Sequence, residues 1–257
     1  MRPVPTYPDL AGQVALVTGA TKGIGAATCR MLAANGVKVG VVARSQDGID
    51  ATVAALRDAG AEALGLAADC SDPAQVERVR DAVEAELGPV DILLPFAGGF
   101  SAFTPIEQTE LDEWREVIEA NLTSTFVAVR AIIPGMIERR RGAIVTMSSN
   151  GGRYLDKPLT ASYAAAKAGV IQFTRHIARE LGPHGVRANV IAPATVTSER
   201  IDRIMDAEAK AKTAALSPLG RMGTPEDCAL ATLFLVSDSA AWLTGVTLDV
   251  AGGRVML

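Results

Sequence analysis

Short apolar runs alternate with longer amphipathic ones along this chain, and the alternation predicts its elements. The segments QVALVTG (13–19), VKVGVVA (37–43), AEALGLAAD (61–69), VDILLPFAG (90–98), GAIVTMSS (142–149), VRANVIAP (186–193) and GVTLDVAGG (245–253) read as strands. Helical patterns fill 23–36, 47–59, 71–87, 109–140, 162–181 and 224–237. Asn35-Gly36 is a stop signal, Asp72 before Pro73 is an N-cap, and Pro134 predicts a kink inside 109–140. Residues 195–216 are polar, Ala-rich and weakly patterned. Strands separated by helices predict a parallel sheet covered on both faces. No linker or repeat interrupts the pattern, so the expectation is one doubly wound α/β domain over 1–257, with 1–9 as an N-terminal arm.

Composition fits an ordinary folded domain: 49% of the 257 residues are hydrophobic and 21% charged. The net charge of −4, with a pI near 5.3, argues against a nucleic-acid or acidic-membrane partner. The run ERRRG (138–142) reads as a solvated helix end. Cys29, Cys70 and Cys228 are far apart and odd in number, neither a disulfide framework nor a metal set, which fits a reducing cytoplasm. With two histidines, His176 and His184, a zinc site or a histidine-based triad has little to work with. The first residues, MRPVPTYPDLAGQ, lack the apolar core of a signal peptide, and no stretch approaches ~20 uninterrupted apolar residues, so no membrane span is expected.

Chemistry begins where the first strand meets the first helix, in TGATKGIG (18–25). Gly19, Gly23 and Gly25 let the backbone turn sharply and approach a pyrophosphate, whose charge then meets a helix N-terminus. The spacing is G-x-x-x-G-x-G, not the common G-x-G-x-x-G, and a tight strand–helix turn alone also calls for glycine. Its place after the first apolar strand favours nucleotide binding.

The segment SYAAAKAG (162–169) puts Tyr163 and Lys167 one helical turn apart among small residues. A cation beside a phenol favours phenolate, so Lys167 is expected to lower the Tyr163 pKa and make it a proton donor and acceptor near neutrality. Alone, Y-x-x-x-K is a common accident.

Taken in order, TGATKGIG, Asn121-Leu122, Ser148-Ser149, YAAAK (163–167) and PLGRMGTPEDCALATLFLVSD (218–238) resemble the short-chain dehydrogenase/reductase family, in particular its bacterial 3-oxoacyl-carrier-protein reductases. The likeness runs from about residue 10 to residue 253. It implies a Rossmann-type, seven-stranded parallel sheet between helices, and hydride transfer between a nicotinamide and a carbonyl or secondary alcohol. It implies a catalytic set of Asn121, Ser149, Tyr163 and Lys167, with Ser149 preferred to Ser148 for its S-x-x-G spacing to Gly152. Ser149 would hydrogen-bond the substrate oxygen and Tyr163 deliver the proton. Lys167 would hold the nicotinamide ribose, and Asn121 would fix a water leading to solvent. Nucleotide contacts are implied from Gly19, Thr21, Lys22, Gly23, Ile24, Arg44, Asp69, Cys70, Ala97, Gly98 and Val196, beside Tyr163 and Lys167.

Departures stand beside these matches. Pro95-Phe96 replaces the Asn pair that usually ends the fourth strand, Ala194 replaces a glycine, and Ala251 replaces an aspartate. The second strand ends in Ala43-Arg44 with no carboxylate before Asp47; Arg44, with Lys22 in the glycine turn, suits a 2′-phosphate and predicts NADP(H) in preference to NAD(H). The resemblance implies a small carbonyl or alcohol as substrate, with a 3-oxoacyl thioester, a cyclic ketone, a steroid and a sugar or polyol as the candidate classes. A cofactor-sensing protein without turnover is the alternative of another class. Segments 150–161 and 195–216 are the expected substrate loops, the second a helical lid. A homotetramer, or a homodimer, is expected through helices 109–140 and 162–181.

Overall fold

β1 (Val14–Thr18) is buried at every position, as a strand covered on both faces must be. β2 (Lys38–Ala43) and β6 (Val186–Pro193) are nearly so. The computed structural model describes residues 4–99, 103–155 and 159–256, so residues 1–3 of the arm and 156–158 of the first substrate loop lie outside the described residues. With β3 (Ala63–Ala67), β4 (Ile92–Pro95), β5 (Gly142–Met147) and β7 (Thr247–Val250), the strands form one parallel seven-stranded sheet in the order β3-β2-β1-β4-β5-β6-β7. The order reverses direction between β1 and β4, the switch point where such sheets open a crevice at their C-terminal edge.

Helices cover both faces. α1 (Gly23–Ala33), α2 (Gln46–Asp58) and α9 (Pro225–Val236) bury Leu32, Ile49 and Leu233 against one side of the sheet. α3 (Pro73–Glu86), α5 (Ser124–Arg139) and α6 (Ala161–Leu181) bury Val83, Ile132 and Leu181 against the other. The predicted cap holds: Asp72 accepts from the Ala74 and Gln75 amides at 2.9 and 3.2 Å, with Pro73 as the first helical residue. The weakly patterned stretch forms two short helices, α7 (Glu199–Ile204) and α8 (Ala207–Ala215).

The predicted helix 109–140 is interrupted, but not where proline suggested. α4 (Leu111–Ile118) passes into a π turn at Glu119–Thr123 before α5 begins, while α5 runs on through Pro134. Side chains explain the site of the break. Asn121 Nδ2 donates to the Val117 carbonyl at 2.8 Å, Ser124 Oγ to Ala120 at 2.8 Å and Thr125 Oγ1 to Asn121 at 2.9 Å. Each takes a carbonyl that a regular ladder would give to an amide. By length and composition Leu111–Arg139 is apolar enough to cross a bilayer, against the expectation from apolar runs alone. Half of its most apolar window is buried inside the protein, as in a core helix.

β4 pairs with β5 only at Ile92–Ala143 and Leu93–Ile144, whereas β5 stays paired with β6 as far as Met147–Ile191. Pro95 has no N–H to extend the ladder, so the strands part at the end where the site lies.

α9 illustrates how local sequence holds an element. Thr224 Oγ1 accepts from the Asp227 amide at 3.2 Å, and Asp227 accepts from the Thr224 amide at 2.8 Å, a complete capping box. Thr224→Ala should lower stability by about 1 kcal/mol. Thermal denaturation should register this as a fall of about 2–4 °C, and an unchanged midpoint would contradict the assignment.

Candidate active site

Two glycines shape the turn between β1 and α1. Gly19 has φ +64°, and a Cβ there would stand 2.9 Å from the Ala97 amide nitrogen and the Phe96 carbonyl. A Cβ on Gly25 would stand 2.2 Å from the Gly19 carbonyl. The turn is thus packed too closely for any side chain, and α1 starts against it. Lys22, the N-cap of α1, makes no side-chain cap, so the first amides of α1 are not taken up by it. This cradle fits a pyrophosphate.

The other predicted nucleotide residues gather along the same edge. Thr21 packs beside the α2 N-terminus, where a Cβ on Gly48 would meet it at 3.3 Å. Gly23 and Ile24 are the first two residues of α1. Arg44 and Lys22 are exposed at the ends of β2 and the glycine turn. Asp69, after β3, accepts from the Ser71 amide at 2.9 Å and the Ser71 hydroxyl at 2.7 Å; these bonds, with the Arg44 charge, hold its carboxyl below the usual range. Cys70 is buried, and burial pushes its thiol up to about 11. Its thiol meets Thr18, whose hydroxyl also accepts from the Ala97 amide at 3.0 Å. Thr18 was not among the predicted residues; its signal was a hydroxyl closing an otherwise apolar strand. Phe96 turns into the hydrophobic core, 8% exposed, so the lost Asn pair is replaced by packing.

Across the crevice lie the four predicted catalytic residues. Ser149 caps a short turn after β5, its Oγ accepting from the Gly151 amide at 3.2 Å and lying in hydrogen-bond contact with the Tyr163 hydroxyl. Ser148 is spent elsewhere: its hydroxyl, buried, donates to the Lys167 carbonyl at 2.8 Å. That division supports Ser149 over Ser148. Asn121 is fully buried and clamps the loop after β4, donating to the Gly99 carbonyl at 2.7 Å and accepting from the Gly99 amide at 3.0 Å. Both of its amide protons are used, the second on Val117, so its side chain sets the position of Gly98 and Gly99. Val196 pairs with Gly223 through the bonds of its two neighbours, Thr197 N–H at 2.9 Å and the Thr195 carbonyl at 3.1 Å, which take up neither its own N–H nor its carbonyl.

The expected effect of Lys167 on Tyr163 needs correction. Its ammonium lies over the phenol ring, 5.6 Å from the centroid, and donates to the Met147 carbonyl at 3.0 Å. Burial raises the Tyr163 pKa, and the opposing influences are the Ser149 hydroxyl and the Arg200 charge, not Lys167. Burial also lowers Lys167 itself, to about 8. In the protein without nucleotide, desolvation outweighs the attraction that the sequence spacing suggested. Arg200 was missed because one arginine in a weakly patterned lid carries no sequence signal.

Lys167 makes a linkage prediction. Its folded pKa, about 8, lies below the ordinary 10.5, so the cost of a buried ammonium is present in full below pH 8. Between 8 and 10.5 the folded state sheds the proton first and stability rises. Lys167→Met should therefore melt higher than the parent at pH 7 without nucleotide, by roughly 2–8 °C. The gap should close toward pH 10, and a lower midpoint at pH 7 would contradict it.

Known proteins are similar to this chain. Residues 19–254 match the family described as enoyl-(acyl carrier protein) reductase. The chain is 39% identical to the 3-oxoacyl-[acyl-carrier-protein] reductase FabG of Escherichia coli K12 over 252 residues, 96% of this chain and 98% of that one. It is 37% identical to 3beta-hydroxysteroid dehydrogenase 1 of Eggerthella lenta over 252 residues, covering 97% and 96%. Among solved structures, the 3-oxoacyl-[acyl-carrier protein] reductase of Brucella melitensis with bound NAD is similar at TM-score 0.91 and 33% identity, covering 98% of this chain and 94% of that one. With its fold, its glycine turn and its Ser–Tyr–Lys grouping, this chain is a member of the short-chain dehydrogenase/reductase family and an NAD(P)-dependent oxidoreductase.

Proposed function

We propose that this protein is an NADP(H)-dependent reductase of small-molecule carbonyl compounds, with 3-oxoacyl thioesters as the substrate class. The observation that carries the reading is the contact of the Tyr163 hydroxyl with Ser149, beside buried Lys167 and across from the glycine cradle. The names of the reductase relatives favour the thioester.

Gly19, Thr21, Lys22, Gly23 and Ile24 would hold the pyrophosphate and its ribose, Asp69 and Cys70 would face the base, and Ala97, Gly98 and Val196 would line the path to the nicotinamide. When bound, the dinucleotide supplies a hydride to the carbonyl carbon and is oxidised. Ser149 donates a hydrogen bond to the carbonyl oxygen as charge grows there. Tyr163 gives that oxygen its proton, which completes the alcohol. A phenol raised by burial is protonated at neutral pH, the form this step requires. Lys167, once a ribose hydroxyl shares its ammonium, stabilises the phenolate left behind. Asn121 keeps the Gly98–Gly99 backbone at its place on the crevice wall.

A homotetramer built on α5 and α6 is part of the same reading, with a homodimer as the smaller form. Phe126 of α5 is 47% exposed and meets Phe173 of α6 edge to face, an aromatic pair on the outer side of both helices. Three buried free cysteines suit the cytoplasm.

Two measurements test the reading. Tyr163→Phe removes the proton donor but keeps the ring, so turnover of a 3-oxoacyl thioester should be lost while NADPH fluorescence still reports binding. Near-normal turnover would overturn the role of Tyr163. Arg44→Asp should weaken NADPH by about ten- to a hundredfold, the value of a hydrogen bond to a charged group, and leave NADH unchanged or better. Equal Michaelis constants for NADH and NADPH in the parent would remove the case for NADP.

A further inference from the structure

An ion pair ties the turn that carries Ser149 to the far edge of the sheet. Arg153 closes that turn, following Asn150–Gly152, and its amide donates to the Asn150 carbonyl at 2.9 Å. Its guanidinium lies 2.6 Å from Asp249 of β7 and donates to the Thr247 carbonyl of the same strand at 3.3 Å. β6 stands between β5 and β7, so this side chain reaches across the end of β6, the strand that leads to Val196. Tyr154 and Leu155, the next two residues, are exposed, so Arg153 grips the loop at the point where it turns outward.

The pair is a poor source of stability. Each side chain is only 15% exposed, so both charges have lost most of their water. Arg153 meets Asp249 through the single nitrogen Nη1, which it shares with the Thr247 carbonyl, and not through the two parallel bonds a guanidinium can make. Asp249 Oδ1 is buried and has no hydrogen-bond partner among the described residues. Burial raises the Asp249 carboxyl above the usual range even beside the guanidinium. Two apolar side chains would fill this place at less cost. The pair supplies a fixed link between β7 and the turn, and the turn is stiff enough to use it. The Gly151 amide donates to Ser149 Oγ at 3.2 Å, the Gly152 amide donates to the Ser149 carbonyl at 3.0 Å, and Gly152 packs on the Lys167 backbone. A displacement of Arg153 is therefore passed on to Ser149.

We propose that Arg153, held by Asp249, is a positioning residue for the reaction: it fixes the turn so that the Ser149 hydroxyl stays against the Tyr163 hydroxyl, where both meet one substrate oxygen. This rests on the roles of Ser149 and Tyr163 given under Proposed function. The pair acts through Ser149 and not on the substrate. A hydrogen-bond donor stabilises a growing oxyanion only if it is aimed before the charge develops, and a misplacement of about 1 Å costs roughly a hundredfold in rate. Without the pair the turn keeps its internal bonds and loses its tie to β7. Nucleotide contacts lie on the other strand ends and are left as they were.

The test reads hydride transfer in a single turnover. Protein saturated with NADPH is mixed with a 3-oxobutanoyl thioester or a cyclic ketone, and NADPH absorbance is followed. The double variant Arg153→Met/Asp249→Leu removes the pair without leaving a charge buried, so its melting midpoint and NADPH affinity should match the parent. Its transfer rate should fall by about ten- to a hundredfold. Arg153→Met and Asp249→Leu alone should each cost about as much as both together, because either one cuts the same link. Asp249→Asn keeps an oxygen for Arg153 and should hold the rate within about threefold of the parent. Arg153→Lys keeps the charge and loses the reach, and it carries the test if the double variant folds poorly: its rate should fall about fivefold or more at parental NADPH affinity. A double variant or Arg153→Lys variant with the parental rate overturns the proposal. So do losses that add, an Asp249→Asn variant no better than Asp249→Leu, or a rate that falls only in step with NADPH affinity. If Tyr163→Phe abolishes transfer while the Arg153 variants keep it, the role of Arg153 alone fails. A parent that reduces neither compound, or a Tyr163→Phe variant with near-normal transfer, overturns the reading of the site and this proposal with it.

Discussion

Lys167 brings an ammonium to a position only 3% exposed, and the site is organised around what makes that tolerable. One carbonyl, that of Met147, accepts from its Nζ at 3.0 Å. The backbone beside it is gripped as well, since Ser148 Oγ donates to the Lys167 carbonyl. Gly152 approaches so closely that a Cβ there would stand 2.6 Å from the Lys167 carbonyl carbon. The end of β5 and the start of α6 are therefore one rigid piece. Ser149 and Tyr163, one on each element, inherit their contact from it. A buried charge is costly, and the depressed pKa of Lys167 records that cost. Folding energy is thus spent where a bound ribose and a phenolate would use the charge.

The nucleotide side depends on a second close approach, between the glycine turn and the end of β4. Gly19 packs on the backbone of Phe96 and Ala97, and Thr18 joins the Ala97 amide to the Cys70 thiol. Three strand ends are thereby tied together at the switch point. The Pro95-Phe96 replacement fits this frame: Pro95 ends the ladder with β5, and Phe96 fills the core beneath the turn. Asn121 then holds the following loop through both the N–H and the carbonyl of Gly99. Chemistry on one side of the crevice and cofactor affinity on the other are linked through these packed strand ends.

Local patterning carried much of this architecture. Apolar runs located all seven strands; the inner ones are nearly continuously hydrophobic because they are covered on both faces, whereas the edge strands β3 and β7 are only partly buried. The Asp72-Pro73 and Thr224-Pro225 starts were readable because capping is a contact between near neighbours. Tyr163 and Lys167 were readable because a helix places i and i+4 on one face. The interruption of helix 109–140 was expected as a kink at Pro134, but it falls at Glu119–Thr123 because the side-chain bonds of Asn121, Ser124 and Thr125 outweigh the one amide that proline removes.

From the sequence alone came the fold class, the glycine turn and the Tyr–Lys spacing, since each depends on spacing within one element or on the order of elements, while the preference for Ser149 came with the family resemblance. Tertiary structure decided the rest. It buried Tyr163 beside the Ser149 hydroxyl and put Lys167 on the Met147 carbonyl, reversing the expected balance of pKa influences. It spent Asn121 on Gly99 and Ser148 on Lys167, and it turned Phe96 inward. Burial and the partners of a polar atom are set by residues far apart in the chain, and no local pattern encodes how completely water is removed from between them.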